Sequence, residues 1–298
     1  MRPIHRVFVT GATGFVGRAV VQALRAEGYV VRCLVRPGSE RDLRGFEAIE
    51  RVPGDVLAPR ALEEAMAGCD AVVHLVGIIR EHPASGATFY RVHVQGTVNV
   101  AAAAAAVGAR RLLHMSALGA REGARSDYHR TKWVAEEAVR SSPVPWTVFR
   151  PSVIYGPGDG FVSALARLVR RFPAIPVPDG GRRRLQPVAV EQVAQGFARA
   201  LALPATVKQA FAVGGPTAVT LAELLDLVAD ALGRRRVVKL HAPVALVRPV
   251  ARLLPWFPVT PDQLLMLQED SVCDPAPFFA ALGLTPVPLA EGLRRMLG

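Results

Sequence analysis

Two side chains four residues apart supply the first chemistry legible in this chain. In the stretch SDYHRTKWVAEEAV, residues 126–139, Tyr128 is followed after three residues by Lys132. The surrounding pattern predicts a helix over Asp127–Arg140, and on a helix positions i and i+4 share one face. A phenol ionises near pH 10, so at neutral pH it handles protons poorly as a base unless a neighbouring cation favours the phenolate. Lys132 is placed to be that cation. Ser116, at the end of a strand in HMSALGA, offers a hydroxyl that could orient a substrate carbonyl. Such a carbonyl would accept hydride on carbon and a proton from Tyr128. The plainer reading is an amphipathic helix that happens to carry a phenol and an amine.

What would lie in front of that helix is decided near the N-terminus. An apolar strand runs into Thr10-Gly11-Ala12-Thr13-Gly14-Phe15-Val16-Gly17 and a helix follows. A glycine triplet between a strand and a helix in the first βαβ unit is the dinucleotide-binding context. There Gly11 permits the tight turn, Gly14 clears space for a pyrophosphate, and Gly17 lets the helix sit close on the sheet. The helix N-terminus then turns N–H donors and positive dipole on the phosphates. Thr10, Thr13, Phe15 and Val16 complete this cofactor-binding turn. A preference for NAD usually shows as an acidic residue ending the second strand. Here that strand ends Cys33-Leu34-Val35-Arg36, and a guanidinium suits a 2′-phosphate. Arg18, on the first helix turn, could assist. The cofactor expected is NADP(H), with NAD(H) as the alternative.

These groups need a frame to hold them. Short β-branched runs at His5–Thr10, Val30–Val35, Ile49–Pro53, Ala71–Val76, Arg111–Ser116 and Trp146–Arg150 predict strands. Helical stretches at Gly14–Glu27, Pro59–Ala67, Phe89–Val107 and Asp127–Arg140 fall between them. Strands separated by helix-length segments imply βαβ crossovers and a parallel sheet covered on both faces, an α/β doubly wound architecture. After Arg150 prolines cluster and the strand rhythm fades. A smaller, mostly helical C-terminal substrate region, built largely from residues after Gly214, is expected there.

Composition narrows the function classes. Of 298 residues, 51% are hydrophobic and 20% charged, a globular balance. No apolar run is long enough to cross a bilayer, and the N-terminal residues lack a signal-peptide layout, so a cytoplasmic protein is expected. Cys33, Cys69 and Cys273 form neither a disulfide framework nor a zinc motif. The seven histidines show no pair at metal spacing on one predicted helix, and no metal is expected; His74 and His114 read as core residues on apolar strands. The net charge of +11 could speak for nucleic acid, but no aromatic platform accompanies the arginine runs 182–184 and 234–236, so no nucleic-acid partner is expected. The segment Leu240–Phe257, LHAPVALVRPVARLLPWF, could touch a membrane surface or admit an apolar, quinone-like substrate. A helix packing its apolar face on the sheet domain is the commoner reading.

In order, TGATGFVG, PGDVL, VVHLVG, HMSALGA, Tyr-x-x-x-Lys, RPSVIYGPGD and LQPVAVEQVAQGFARAL resemble the extended and atypical short-chain dehydrogenase/reductases. Within them the chain is most similar to bacterial relatives of the complex I alpha subcomplex subunit 9, a likeness that VTPDQLLMLQEDSV extends to nearly the whole chain. The resemblance implies a Rossmann-type cofactor domain with Asp55 and Val56 near the adenine and Val76 and Gly77 near the adenosine ribose and phosphates. Lys132 would hold the nicotinamide ribose, and Pro151, Ser152 and Val153 would border the nicotinamide. It also implies discontinuous domains: residues 1–152 plus about 185–213 for the cofactor, about 153–184 plus 214–298 for substrate or partner. One departure concerns the site. Where family members carry V-N-V-x-G-T, this chain reads Val92-His93-Val94-Gln95-Gly96-Thr97, so His93 takes the place of the asparagine of the proton relay. Ser116 also lies only twelve residues before Tyr128, a shorter gap than most extended enzymes show.

Three functions fit these residues. The first is an NADP(H)-dependent oxidoreductase acting on a carbonyl or alcohol of a small-molecule substrate, with an apolar substrate among the classes the irregular second region leaves open. The second is a nucleotide-sugar epimerase or dehydratase passing through a keto sugar. The third is a non-catalytic NADP(H)-binding accessory or sensing protein, to which the subunit 9 resemblance adds contact with a respiratory complex or the inner face of a membrane. The intact Tyr-x-x-x-Lys favours the enzyme. Oligomeric state is not legible.

Overall fold

The computed structural model describes residues 3–39, 43, 45–46, 48–234, 237–242 and 260–298. Six strands and four helices form the first half: β1 Arg6–Thr10, α1 Phe15–Ala26, β2 Val30–Val35, β3 Glu50–Pro53, α2 Pro59–Met66, β4 Ala71–His74, α3 Gly96–Ala106, β5 Arg111–Met115, α4 Asp127–Arg140 and β6 Trp146–Pro151. β7 (Ile154–Tyr155), α5 (Val162–Arg171), β8 (Ala174–Pro178), β9 (Arg184–Leu185), β10 (Val188–Ala189), α6 (Val190–Ala200), β11 (Gln209–Val213), β12 (Val219–Thr220) and α7 (Leu221–Ala231) follow. β13 (Val238–Ala242), α8 (Pro261–Met266), α9 (Ala276–Leu282) and α10 (Leu289–Leu297) come last.

Seven parallel strands make the central sheet in the order β11-β6-β5-β4-β1-β2-β3. Burial on both faces explains why β1 and β4 are almost wholly apolar or β-branched rather than alternating. One face is closed by α1, α6 and α9 through Val20, Leu24, Phe197 and Phe278; the other is closed by α2, α3 and α4 through Leu62, Met66, Val100 and Val139. The chain direction across the sheet reverses between β1 and β4, and the crevice at their carboxyl ends is where this architecture takes its ligand. A third apolar cluster, with Tyr155, Val162, Val169, Leu224, Val228 and Leu293, binds α5, α7 and α10 into a smaller body beside that crevice.

The doubly wound architecture is the one expected, a Rossmann-like fold, and the strands and helices of the first half, the start of α3 excepted, lie within two residues of their predicted ends. Two differences have physical causes. The helix expected over Phe89–Val107 begins as a π-helical turn, Tyr90–Gln95, before α3. Such a turn inserts a residue and re-aims its neighbours, and it carries His93 inward. The C-terminal region holds more strand than expected, as pairs two to five residues long such as β7–β10, β9–β12 and β8–β13. Pairs this short leave little periodicity to read. No helix among the described residues is long and apolar enough to cross a membrane. Of the segment Leu240–Phe257, Leu240–Ala242 end β13 and residues 243–257 lie outside the described residues.

Candidate active site

The glycine turn closes against the end of β4. Gly11 has φ +78°, and a Cβ there would sit 2.9 Å from Leu75 C and Val76 N. Only glycine fits both the left-handed backbone and the approach. Gly17 is tighter still, but toward a different neighbour than expected. Its Cβ would fall 2.0 Å from Gly11 O and 2.8 Å from Ala12 Cα, so this glycine lets the helix press on the turn itself rather than on the sheet. At Gly14 the nearest heavy atom to a Cβ is Gly11 O at 3.3 Å, and its far side is open. Gly14 is also the N-cap of α1 and offers no side chain, so the first N–H groups of this twelve-residue helix are left for a ligand. The cradle fits a dinucleotide pyrophosphate.

Thr10 is fixed from below. Its hydroxyl lies 2.6 Å from His74 Nδ1, and His74 Nε2 lies 2.9 Å from Thr97 Oγ1. Thr13 and Phe15 are half-buried at the rim, and Val16 is packed into the core. Arg36 is exposed immediately after β2, and its carbonyl accepts from Ser39 N in a tight turn. Arg18 lies against Gly158. Asp55 turns its carboxylate back on Leu57 N at 2.9 Å, and Val56 O accepts from Asn99 Nδ2 at 2.9 Å, which pins the loop after β3 to α3. Val76 and Gly77 continue β4. A Cβ on Gly77 would lie 3.6 Å from His93 Nε2 and 3.9 Å from Lys132 Nζ, so the two nitrogens flank this residue.

Tyr128 and Lys132 occupy the first two turns of α4. Lys132 is 2% exposed, and its Nζ donates to Met115 O at 2.5 Å. Burial lowers its ammonium to about 8, with the buried Glu136 carboxylate one turn on pulling the other way. The Tyr128 ring packs edge-on to His93 and to Phe89, with centroids 5.4 and 5.9 Å away. Burial, and then the Asp262 charge, push its phenol up to about 12, so at neutral pH Tyr128 is a proton donor and not a phenolate. His93 has Nδ1 2.9 Å from Thr131 Oγ1 and Nε2 3.1 Å from Ile78 N, and burial lowers it to about 3.

Ser116 is brought to the same end of β5, but it is 2% exposed and has no close hydrogen-bond partner; its hydroxyl neighbours Glu136, whose charge it helps to hold. Pro151 ends β6. Ser152 Oγ donates to Ser271 O at 2.8 Å and lies 2.9 Å from Ser271 Oγ, and Val153 O accepts from Val188 N at 2.9 Å. Ser152 therefore joins the end of β6 to the C-terminal segment, and Val153 joins it to β10. Among the described residues no group of His, Cys, Asp and Glu is arranged to hold a metal ion.

Three contributors are absent from the sequence reading: Thr131 beside His93, Glu136 behind Lys132, and Asp262 at the start of α4; His74, read there as a core residue, is buried and also supports Thr10. Glu136 and Asp262 are acids, a type worth seeking near a Tyr/Lys pair. The partner of Asp262 is 134 residues away, however, and no spacing rule reaches that far.

Residues 7–214 match the NAD dependent epimerase/dehydratase family. The chain is 40% identical over 171 residues to ceramide reductase of Caulobacter vibrioides, a match covering 57% of this chain and 53% of that protein, about half its length. It is 30% identical over 304 residues to the NADH dehydrogenase [ubiquinone] 1 alpha subcomplex subunit 9 of Mus musculus, with 96% of this chain and 79% of that protein covered. The crystal structure of gox2253 superposes with a TM-score of 0.77 at 26% identity, covering 97% of this chain and 95% of that one.

Proposed function

This chain belongs to the NAD dependent epimerase/dehydratase family, and from that premise we propose that it is an NADP(H)-dependent reductase of an apolar carbonyl compound. The observation that carries the proposal is the meeting of a neutral Tyr128 phenol, a buried Lys132 and the glycine cradle at one crevice. Gly11, Gly14 and the N-terminus of α1 would hold the pyrophosphate, with Arg36 on a 2′-phosphate and Lys132 on the nicotinamide ribose. When bound, the nicotinamide supplies hydride. The chain's own residues supply the rest. Tyr128 holds a proton at its phenol oxygen for the carbonyl oxygen as charge develops there, which typically contributes a factor of about 10²–10⁴. Lys132 sits one turn on, where its ammonium stabilises the phenolate left behind. Ser116 lies deeper, so the proton-donating role rests on Tyr128.

The substrate class follows from the walls and from one relative. Phe89 and the Tyr128 ring form an apolar side to the site, and Ile79, next in sequence to the Ile78 that bonds His93, is 56% exposed. The relative with 40% identity is a reductase of a lipid, as its name states. The test is NADPH oxidation by the purified protein with ketones on long alkyl or prenyl chains, repeated with Tyr128→Phe. Turnover that drops by about 10²–10⁴-fold in the variant with unchanged NADPH affinity supports the assignment. Turnover that survives removes Tyr128 from it.

A second reading has its own support: a cofactor-binding accessory protein acting through a protein partner. The similarity to subunit 9, which runs through 96% of this chain, favours it. Tight NADPH binding with no turnover of any carbonyl lipid would select this reading.

A further inference from the structure

We infer that Asp262 is a positioning residue for Tyr128: its carboxylate, carried in from the far end of the chain, fixes the start of α4 and thereby the place of the phenol. The inference deepens the proposed reduction and rests on Tyr128 being its proton donor.

A helix leaves its first four N–H groups without intrahelical partners. On α4 Ser126 caps His129 N with its side chain at 3.1 Å, and Arg130 N opens the helical ladder on Ser126 O at 3.1 Å. Two further first-turn donors, Asp127 N and Tyr128 N, point at Asp262 Oδ1 and Oδ2 at 2.7 and 3.3 Å. A single carboxylate from α8 thus completes the cap of the helix that bears the site, where an anion also suits the helix dipole.

Asp262 is free for this because its own helix is capped by others. Thr260 and Gln263 form a reciprocal capping box, and Leu264 anchors α8 in the interior. The chain beyond α8 is stitched down around the same crevice. Glu269 receives both of its contacts from Arg121 at 2.9 Å, Asp270 pairs with Arg184, and Ser271 meets Ser152. This segment therefore connects the smaller body to the loop before α4, to α4 itself and to the end of β6.

The charge matters as well as the bonds. Asp262 faces Asp127 and Arg130, while Tyr128 faces Phe89, His93 and His129, with Lys132 one turn away. Burial raises the Asp262 carboxyl above its ordinary value in spite of its two N–H donors. The same charge favours the neutral phenol, the form that donates a proton.

The test reads Tyr128 without needing turnover. The full chain is labelled with 3-fluorotyrosine, which brings phenol ionisation into a range the fold tolerates, and titrated by fluorine NMR. Four tyrosines give four signals, and Tyr128→Phe assigns the relevant one. Asp262→Asn keeps the shape and one of the two acceptors, and removes the charge together with the second acceptor. It is expected to move the Tyr128 midpoint down by about half to one pH unit, roughly three- to tenfold in ionisation constant. Glu269→Gln, which loosens the same segment, is expected to leave that midpoint in place. An unmoved midpoint in Asp262→Asn, or an equal shift in Glu269→Gln, overturns the inference. Should Asp262→Asn fail to fold, the native chain carries a second test by amide exchange. The Asp127 and Tyr128 amides should exchange at least about tenfold more slowly than those of Phe15 and Val16, at a helix start with no side-chain cap. Equal rates overturn it. Neither readout depends on substrate, so failure of the reductase reading and failure of this one are distinguishable.

Discussion

His93 Nδ1 lies 2.9 Å from Thr131 Oγ1, and the Thr131 hydroxyl in turn reaches Asp127 O at 2.8 Å. The threonine proton thus has a backbone carbonyl to bond, while His93 Nε2 lies 3.1 Å from Ile78 N and 3.0 Å from Ile78 O, so the ring is held from both sides. The ring is neutral in this arrangement, and burial keeps it so down to about pH 3. His74 is held to about 3, His129 to about 4, and His114 well below the ordinary value, each chiefly by burial. All four take up a proton near pH 6.5 once the chain unfolds. Their folded values are depressed, so the stability they contribute is complete above 6.5 and is lost as pH falls, about 1.4 kcal/mol per unit for each. Between pH 7.5 and 5.5 His74, His93 and His129 alone should lower the unfolding free energy by about 4 kcal/mol, a large part of the stability of a typical domain, with His114 acting in the same direction. Urea denaturation at the two pH values checks this. A drop below about 1 kcal/mol would mean that the four rings are reached by water.

Arg36 should decide between the two nicotinamide dinucleotides. It is exposed just beyond β2, where an acidic residue would serve NAD. Charge-assisted bonds of this kind contribute about 1.5–3 kcal/mol, so Arg36→Glu should weaken NADPH binding by about 10–100-fold. NADH binding should stay level or improve. Calorimetry with NADPH and NADH on both proteins measures it. Equal weakening of the two cofactors would place Arg36 away from the 2′-phosphate.

The glycines separate fold from ligand. Gly17→Ala puts a Cβ against the Gly11 and Ala12 backbone, which cannot swing aside as a side chain could. It should destabilise the protein by at least the about 1–3 kcal/mol typical of overpacking. Gly14→Ala meets only Gly11 O at 3.3 Å and has an ordinary φ of −74°, so the fold should hold to within about 1 kcal/mol. The added methyl nevertheless occupies the space in front of the α1 N-terminus. Melting temperature should therefore fall in the first variant, while NADPH affinity alone falls in the second. A Gly14→Ala protein that binds NADPH normally would move the pyrophosphate elsewhere.

The frame was legible because it obeys local rules. Continuous apolar runs such as RVFVT and AVVH mark strands buried on both faces, and the helix over Asp127–Arg140 was readable to the residue. The glycine turn and the Tyr128/Lys132 face were likewise set by spacing along one element. What escaped depends on packing between elements. The π-helical turn that carries His93 inward has the same composition as an α-helical one. Strands two residues long, such as Val188–Ala189, offer no period. Asp262 reads locally as a first-turn acid of its own helix, and its bonds to α4 exist only once the C-terminal segment has docked.

Glu136 sets the last prediction, because it is buried without exposure and yet carries a full charge. Burial works against that charge, but donations from Arg150, at 2.6 and 2.8 Å, and from Arg140, at 2.8 Å, hold the carboxyl below the usual range. Glu136→Gln breaks a buried pair and should cost about 3–5 kcal/mol in urea denaturation. It should also reach the site. Lys132, one turn earlier, is lowered to about 8 by burial while Glu136 draws it upward. Removing the carboxylate therefore moves the ammonium further down. If Lys132 holds the nicotinamide ribose as a cation, native NADPH affinity should fall as pH rises through about 8. In Glu136→Gln the fall should begin at a lower pH. Calorimetric titrations from about pH 6.5 to 9 would show two displaced curves. Superposed curves from a folded variant would mean that the lysine charge does not govern cofactor binding, and that Glu136 serves only the packing of α4 on β6.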